Sequence, residues 1–538
     1  MAVVGCVTAA VGKEAMPQQR QSAGSDAGVL GASAALDVAI HLALAGRYGY
    51  WIDELYFIAC GAHLDWGYVD HPPLIAAVAA AARWLFGDSL VGLRLPAALA
   101  GGLLVFLTGW IARALGGGRT AQIVAAVAAL VAPVYLAFAA VLTMNGFEPL
   151  FWMGAAYLAI RIAQGASPRR WVLVGVCLGL GLLNKHSTLF FGAALFAGLL
   201  LSPQRRLLAS PWPWIGGLIA LAIALPNLLW ERAHGWPTAE LLANAHRYQH
   251  QPVTPLQFVL GQIQIVHPFT VPLWIAGVWF LVVDPRAARV RFLGWTFALL
   301  FVTFLAAQAK TYYLAPIYPI AFAGGGVVVE TLARRGGRRW VAPAVLVVLV
   351  LGGLVTAPYA LPVLPVSALP TYLGLLGMRE VRPETRPMGN VPQIFADMLG
   401  WEDLVAEIAR VYHALPPADR TRAVIWGRDY GVAGAVDLFG RRQGLPAAVS
   451  GAQNYFLWGP GERSGEVMIA VSFPEEVLRP WFGHVELAGQ VRCPYCMPDR
   501  QLQRIYVCRD PVRPLADFWP LTKCWTCDRP PFAKGRGR

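Results

Sequence analysis

Residues 91–112 read VGLRLPAALAGGLLVFLTGWIA, an apolar stretch in which Arg94 is the only charged side chain. Its length matches the roughly 20 residues that an α-helix needs to cross the hydrocarbon core of a membrane. Ten further stretches of this character are found at 29–46, 120–142, 145–163, 171–184, 188–202, 213–230, 270–283, 292–308, 312–330 and 340–360. The pattern predicts a polytopic α-helical membrane protein with about 11 transmembrane helices.

The overall composition supports a membrane protein. The chain has 538 residues, of which 57% are hydrophobic and 14% charged, a balance that excludes a single soluble domain of ordinary composition. Its 20 Trp, 24 Phe and 17 Tyr exclude a disordered chain. A net charge of +13 is compatible with nucleic-acid binding, but the Lys and Arg residues alternate between loops and form no single basic patch. We therefore expect membrane lipids, and no nucleic acid, around the chain.

The basic residues also predict an orientation. Sixteen Lys or Arg lie in the segments on the side of the N-terminus, and seven lie in the segments on the opposite side up to residue 360. The positive-inside rule then places the N-terminus in the cytoplasm of a multi-pass cell (inner) membrane protein. We expect a loose cytoplasmic tail over 1–28, without the basic start of a signal peptide, and a transmembrane domain over 29–360. External loops are predicted at 47–90 and 231–269.

Residues 380–538 have a water-soluble composition and are predicted to lie outside the membrane. Apolar runs such as RAVIWG (422–427) and EVMIAVSF (466–473) alternate with turn residues, which is typical of a small α/β domain. We expect a C-terminal extracytoplasmic domain with a cysteine-rich end.

Ionisable side chains gather at the predicted external ends of the helices, where their number indicates a function. The first loop contains YGYWIDELYF (48–57) and WGYVDHPPL (66–74), and short external turns contain TMNGFEPLFW (143–152), LLNKHSTLF (182–190) and AQAKTYYLAPIYP (307–319). A carboxylate beside the membrane can act as a general base, and nearby Lys and His can bind a phosphate. These are the parts of a transferase that uses a phosphate-activated donor.

The order of these motifs resembles the bacterial GT-C superfamily glycosyltransferases related to the protein O-mannosyltransferases and the lipid A aminoarabinose transferase, a glycosyltransferase family 39-like group. The resemblance covers most of residues 30–360, including the Asp-Glu pair, the D-H-P-P-L element, the Lys turn near 185, K-x-Y-Y-x-x-P-x-Y-P at 310–319 and LWERAHGWPT (229–238). It implies transfer of a sugar from a polyprenyl-phosphate donor to a glycan, lipid or protein acceptor on the outer face of the membrane.

The resemblance also implies roles for residues. Asp53 is the expected catalytic base, Glu54 helps to position the acceptor, and a single displacement inverts the anomeric carbon. His71, Lys185 and Lys310 are candidates for the carrier phosphate. Further candidates for substrate binding are Asp70, Asn145, Glu148, His186 and Tyr312.

Two positions depart from the pattern of the relatives. His71 stands where the aminoarabinose transferases have Lys before the Pro pair, so a phosphate contact there is neutral or pH-dependent. Phe147 stands where many relatives have Asp, and Glu148 or Asn145 is the replacement if the role is kept. We expect no required cofactor, although Asp53, Asp70, His71 and Glu148 are suitable ligands for a divalent cation if they converge.

Four of the C-terminal cysteines, Cys493, Cys496, Cys524 and Cys527, have the spacing of a zinc knuckle, C-x-x-C, 27 residues, C-x-x-C. The predicted external location favours disulfides instead, so the sequence leaves zinc and disulfides open. Cys508 is left as a fifth ligand or a free thiol.

The main alternative is a transporter or flippase of a lipid-linked or small substrate. Transporters place ionisable residues near the middle of the bilayer and contain internal repeats, and neither feature is found here. A membrane anchor for the outer domain leaves the many spans unexplained. The sequence does not distinguish a hexose, pentose or amino sugar.

Overall fold

The computed structural model describes residues 17–248, 253–377 and 389–526. Helices dominate as far as residue 375, and a small sheet with flanking helices follows. The helices of the first part are α1 Pro17–Leu44, α2 Ile52–Ala62, α3 Leu74–Phe86, α4 Leu90–Ala114, α5 Arg119–Val131, α6 Pro133–Ala140, α7 Met144–Ala163, α8 Trp171–Asn184, α9 Thr188–Leu200, α10 Trp212–Ala233, α11 Pro237–Tyr248, α12 Pro255–Val266, α13 Val271–Val283, α14 Arg291–Ala306, α15 Tyr318–Ala333, α16 Val341–Ala360 and α17 Leu369–Leu375.

Each of the eleven apolar stretches coincides with a helix, but fewer are long and apolar enough to cross a membrane alone. Among the described residues six helical segments qualify, and up to eight if each of two bent pairs is a single span. The six are Asp26–Leu44, Leu90–Ala114, Trp212–Ala233, Pro285–Ala306, Thr311–Ala333 and Val341–Ala360. The helical membrane architecture is therefore present, and the count of eleven spans stays a prediction.

Three boundaries differ from the expected ones. Helix α1 begins at Pro17, so the segment expected as a loose tail is already helical over 17–28. The stretch 120–142 is broken into α5 and α6 with a 60° bend, because Pro133 lacks the N–H that would continue the helix. The predicted external loop 231–269 contains the helices α11 and α12, and α12 is bent by 95° relative to the segment Pro268–Val283, with the break at His267.

The loop 47–90 is also ordered. Helix α2 carries Asp53 and Glu54 in its first turn, and α3 follows the Pro72–Pro73 pair. Side chains of α2 from Ile52 to Cys60 are largely buried. The helix that carries the Asp-Glu pair is therefore a packed element of the fold.

The C-terminal part forms a small mixed α/β domain, as predicted. Its elements are α18 Gln393–Ala396, α19 Trp401–Ala414, α20 Pro417–Arg422, β1 Ala423–Gly427, α21 Tyr430–Phe439, β2 Val449–Ser450, α22 Gln453–Trp458, β3 Val467–Val471, α23 Glu475–Leu478, β4 Phe482–Arg492, β5 Leu502–Pro511 and α24 Leu515–Phe518. The strand order is β2-β1-β3-β5-β4, with β1 parallel to β2 and β3, and β5 antiparallel to β3 and β4.

This domain shares a hydrophobic core with the first loop. In β1, side chains alternate between the two faces of the sheet, with Ile425 on one face and Val424 and Trp426 on the other. The Ile425 face packs in one cluster with α19, α21 and the α2 residues Leu55 and Ile58. Helix α2 is thus held between the membrane helices and the C-terminal domain.

Glycines allow close packing within the helical part. A Cβ atom at Gly277 of α13 would lie 1.8 Å from the carbonyl oxygen of Ala321 in α15, and one at Gly325 would lie 2.2 Å from that of Leu273. Small residues at such contacts let two backbones approach, which stabilises helix pairs in membranes.

We expect Gly277→Ala to lower the melting temperature of the purified protein in detergent, because α13 and α15 must move apart, at a cost of about 1–3 kcal/mol. Gly217→Ala is the matched control, since a Cβ there has nothing within 4 Å. Equal melting temperatures for the two variants would contradict the tight contact.

Candidate active site

A cavity of about 600 Å³ lies where α2, the ends of several membrane helices and the C-terminal domain meet. Its lining includes Ile265, Tyr359 and Ala360 together with many polar, ionisable and aromatic groups. Among these are Asp53, Asp70, Asn145, Lys185, Lys310, Tyr312, Tyr313, Asp397, Arg428, Asp429, Tyr430 and Asp499. The cavity combines carboxylates, cations and aromatic rings in one space.

Asp53 lines the cavity from the first turn of α2 and is half-buried. Its Oδ1 accepts a hydrogen bond of 2.8 Å from the hydroxyl of Tyr430. Burial raises the pKa of Asp53 to about 7, opposed by the Tyr430 hydrogen bond and by the charge of Lys310. A carboxylate with a pKa near neutrality is suited to accept a proton from a hydroxyl.

Asp70 is the second carboxylate on this side of the cavity. Burial raises its pKa to about 7 as well, so the two groups titrate in the same range. Their mutual repulsion contributes to the raised pKa of Asp53. The cavity therefore contains two carboxylates with raised pKa values.

Glu54 lies next to Asp53 but points away from the cavity into the protein. It is fully buried, and Arg94 binds both its oxygens, with Nε to Oε1 and Nη2 to Oε2 each at 2.8 Å. The backbone N–H groups of Trp51 and Leu142 donate to the same carboxylate, each at 2.8 Å. Glu54 therefore fixes the start of α2 and is not in contact with the cavity.

His71 is not brought to the cavity. It is fully buried among the rings of Tyr56, Phe57 and Tyr68, and its Nδ1 is 2.9 Å from the Pro72 carbonyl. Burial lowers its pKa to about 4, so the ring is neutral at physiological pH. The structure gives this residue no access to a donor phosphate, because desolvation excludes the charged ring.

Lys185 reaches the cavity at the end of α8. Its Nζ donates to Asn145 at 2.7 Å and to Glu148 at 3.0 Å, and lies 4.7 Å from the ring centre of Tyr313. Glu148 is buried, also accepts from Ser187 and does not line the cavity. Glu148 thus fixes the position of Lys185 through an ion pair, while Lys185 and Asn145 line the cavity.

Of the remaining predicted residues, Lys310 and Tyr312 line the cavity, on the segment that precedes α15. His186 does not; its Nε2 is 2.9 Å from the side-chain oxygen of Asn227 on α10. The structure therefore brings together Asp53, Asp70, Asn145, Lys185, Lys310 and Tyr312, and leaves out Glu54, His71, Glu148 and His186.

The C-terminal domain also lines the cavity, although none of the ten candidate residues belongs to it. Arg428, Asp429 and Tyr430 enter the cavity at the turn between β1 and α21, where a ligand site is expected at the carboxyl ends of parallel strands. The signal was present in the motif GRDYG (427–431), directly after the apolar run RAVIWG. Asp397 and Asp499, from two loops of the same domain, also line the cavity.

The cysteines follow the disulfide alternative. Cys493 and Cys496 form a disulfide with each other, so their thiolates are not available to zinc. Cys524 is also in a disulfide, and Cys527 lies outside the described residues. Cys508 is a buried thiol in β5. Over residues 17–248, 253–377 and 389–526 no group of three or more His, Cys, Asp and Glu side chains is arranged to hold a metal.

The chain is similar to known sugar transferases. The family model described as dolichyl-phosphate-mannose-protein mannosyltransferase matches residues 70–230. The undecaprenyl phosphate-α-4-amino-4-deoxy-L-arabinose arabinosyl transferase 1 of Pseudomonas fluorescens is 28% identical over 286 residues, covering 47% of this chain and 47% of the relative. The lipid A galacturonosyltransferase RgtD of Rhizobium johnstonii is 25% identical over 277 residues, covering 49% and 56%. The chain thus matches about half the length of these curated relatives.

The fold is similar to that of a solved structure. ArnT from Cupriavidus metallidurans in the apo state aligns with a TM-score of 0.57 and 17% identity, over 90% of this chain and 98% of that chain. Its complex with undecaprenyl phosphate aligns with a TM-score of 0.56 over 89% and 97%. These similarities confirm the predicted resemblance and the GT-C type of fold.

We expect Glu54→Ala to destabilise the protein by about 3–5 kcal/mol, because it leaves the Arg94 charge buried without its partner. The thermal melt in detergent measures this effect, with exposed Glu402→Ala on α19 as the control. The double variant Glu54→Ala, Arg94→Met should lose less stability than Glu54→Ala alone, because it no longer contains the unpaired buried charge. An unchanged melting temperature for Glu54→Ala would contradict the role of the Glu54–Arg94 ion pair in fixing the start of α2.

Proposed function

We propose that the protein is a membrane glycosyltransferase that moves a sugar from a polyprenyl-phosphate donor to a glycan, lipid or protein acceptor on the outer face of the cell membrane. The observation that carries this proposal is the placement of Asp53 in the same cavity as Lys185, Lys310 and Arg428. The similarities to sugar transferases support the reaction class. Donors that carry a hexose or a pentose both fit the proposal.

The proposed chemistry is a single displacement. The carboxylate of Asp53 takes the proton of an acceptor hydroxyl, whose oxygen attacks the anomeric carbon of the donor. The bond between that carbon and the phosphate oxygen breaks, and the configuration is inverted. Polyprenyl phosphate leaves as a phosphate monoester, with more negative charge than the diester of the donor.

The cations in the cavity can stabilise this increase in negative charge. Lys185, Lys310 and Arg428 line the cavity, and positive groups fixed before the reaction stabilise the leaving phosphate more than the ground-state diester. Tyr312 and Tyr313, on the same segment as Lys310, offer ring faces to a sugar. The apolar lining of Ile265 and Tyr359 suits the first part of a prenyl chain.

The proposal includes the orientation predicted from the basic residues, with the N-terminus in the cytoplasm, eleven spans and the C-terminal domain outside. A polyprenyl-linked donor presented at the outer face can reach a cavity at the external helix ends without a nucleotide sugar. The alternative of a transporter or flippase has no support from the sugar transferases reported above.

We expect Asp53→Asn to reduce transfer by about 100-fold or more, because the variant keeps the shape of the side chain and removes the base. Membranes that contain equal amounts of wild type or variant are supplied with a panel of radiolabelled polyprenyl-phosphate sugars. Asp403→Asn, an exposed residue of α19 that does not line the cavity, is the control and should retain transfer.

Equal transfer by wild type and Asp53→Asn would exclude Asp53 as the base and direct attention to Asp70. No transfer by the wild type with any donor, together with passage of a lipid-linked donor across vesicle membranes, would overturn the proposed function in favour of transport.

We further propose that the side-chain cations neutralise the phosphate without a divalent metal. Lys310→Ala should lower transfer by about 100-fold, Lys310→Arg should restore part of it, and EDTA should leave the wild type active. Transfer is measured at pH 8.5, above the pKa of about 7 of Asp53, to limit the effect of the lost Lys310 charge on the ionisation of that carboxyl group. Loss of activity in EDTA, restored by Mg²⁺ or Mn²⁺, would contradict this part of the proposal.

A further inference from the structure

Tyr430 is the point at which the C-terminal domain contacts the carboxylate of Asp53. The hydroxyl donates to Oδ1 at 2.8 Å, across 377 residues of sequence. Among the described residues, this is the only hydrogen bond to that carboxylate. Oδ1 is thereby occupied, and Oδ2 is left for a proton from an acceptor.

The position of Tyr430 is fixed by the local fold. It is the first residue of α21, directly after Asp429, whose side chain caps the helix by accepting from the N–H of Val432 at 2.9 Å. The preceding strand β1 pairs with β3 on one side and β2 on the other. The hydroxyl is therefore presented from the rigid junction of a central strand and a capped helix.

The packing of α21 on α2 leaves little room for movement. A Cβ at Gly431 would lie 2.4 Å from a side-chain carbon of Ile52, and one at Gly434 would lie 2.9 Å from the backbone oxygen of Leu55. The Tyr430 ring also lies 4.8 Å from the ring of Tyr56, which is buried and bonded to Asn454. These contacts restrict the movement of Tyr430 relative to α2.

We propose that Tyr430 is the positioning residue of the Asp53 carboxylate, so that the C-terminal domain completes the catalytic centre in addition to any contact it makes with an acceptor. This inference rests on the proposed function of Asp53. It assigns to a residue outside the membrane domain a direct part in orienting the base.

The charges around Asp53 determine what the loss of this hydrogen bond would do. Asp70 from the first loop and Asp397 from the C-terminal domain raise the pKa of Asp53, while Lys310 and the Tyr430 hydrogen bond lower it. Burial and nearby carboxylates keep the pKa of Tyr430 well above its usual value, so its hydroxyl stays a donor at all physiological pH values. Removal of the hydroxyl therefore raises the pKa of Asp53 further.

The test is the pH dependence of transfer for wild type and Tyr430→Phe, with the donor that proves active in the panel. Wild-type transfer should rise with pH through about 7 and then level off, since the base acts only when ionised. In Tyr430→Phe the rise should move to higher pH by about one unit. Transfer should also stay below the wild-type plateau at high pH, because the carboxylate is no longer held.

Tyr455→Phe is the matched control. Tyr455 is another buried tyrosine of the C-terminal domain, and its hydroxyl donates to Asp437 at 2.7 Å, but it does not line the cavity. The control loses the same kind of hydrogen bond and should keep the wild-type pH profile. A general loss of folding would reduce transfer equally at all pH values in both variants.

An unshifted pH profile in Tyr430→Phe, with Asp53→Asn inactive, would overturn the positioning role and leave the proposed function intact. A shift of equal size in Tyr455→Phe would also overturn it. Failure of the proposed function itself would be seen separately, as the absence of transfer by the wild type.

Discussion

The buried ion pair between Glu54 and Arg94 is the interaction on which the rest of the structure depends. Arg94 also donates to the backbone carbonyls of Ala45 and Gly49, at 2.7 and 2.8 Å, so one guanidinium joins the end of α1, the turn before α2 and the start of α4. Leu142, after α6, is bound by the same carboxylate. A buried charge is costly unless every polar atom has a partner, and here the two groups satisfy each other and several backbone groups. Their bonds determine where α2 begins, and so where the neighbouring residue, Asp53, points.

The cavity is an assembly of three parts that have different tasks. Helix α2 and its loop provide the carboxylates Asp53 and Asp70, the ends of the membrane helices provide Lys185 and Lys310, and the C-terminal domain provides Arg428 and Tyr430. The positive groups are held in different ways. Lys185 is neutralised in part by Glu148 and lies over the rings of Tyr312 and Tyr313, whereas Arg428 projects from the end of a strand. The carboxylates and the cations that line the cavity therefore lie on different elements of the fold.

Hydropathy and the positions of charges predicted much of this arrangement. The apolar stretches coincide with helices, and six of ten candidate residues line the cavity. The failures have physical causes that local sequence does not show. Glu54 and Asp53 are adjacent, but consecutive residues of a helix point about 100° apart, so only one of them faces the cavity. The sequence does not show that the partner of Glu54 is the buried Arg94. His71 is surrounded by the rings of Tyr56, Phe57 and Tyr68, and this burial depends on tertiary packing that the local sequence does not show. The motif GRDYG is visible in the sequence, but the contact of Tyr430 with Asp53 is not, because the two residues are 377 positions apart.

The shared hydrophobic core of α2 and the C-terminal domain has a consequence for synthesis of the chain. Contacts of long sequence separation form late, since the loop between them must close first. Asp53 emerges early from the ribosome, but its cavity lacks Arg428 and Tyr430 until the sheet near the C-terminus has folded. A prematurely terminated chain would keep its helical part and still lack the hydrogen bond from Tyr430. The cavity is therefore complete only in a chain whose C-terminal part has been synthesised and folded.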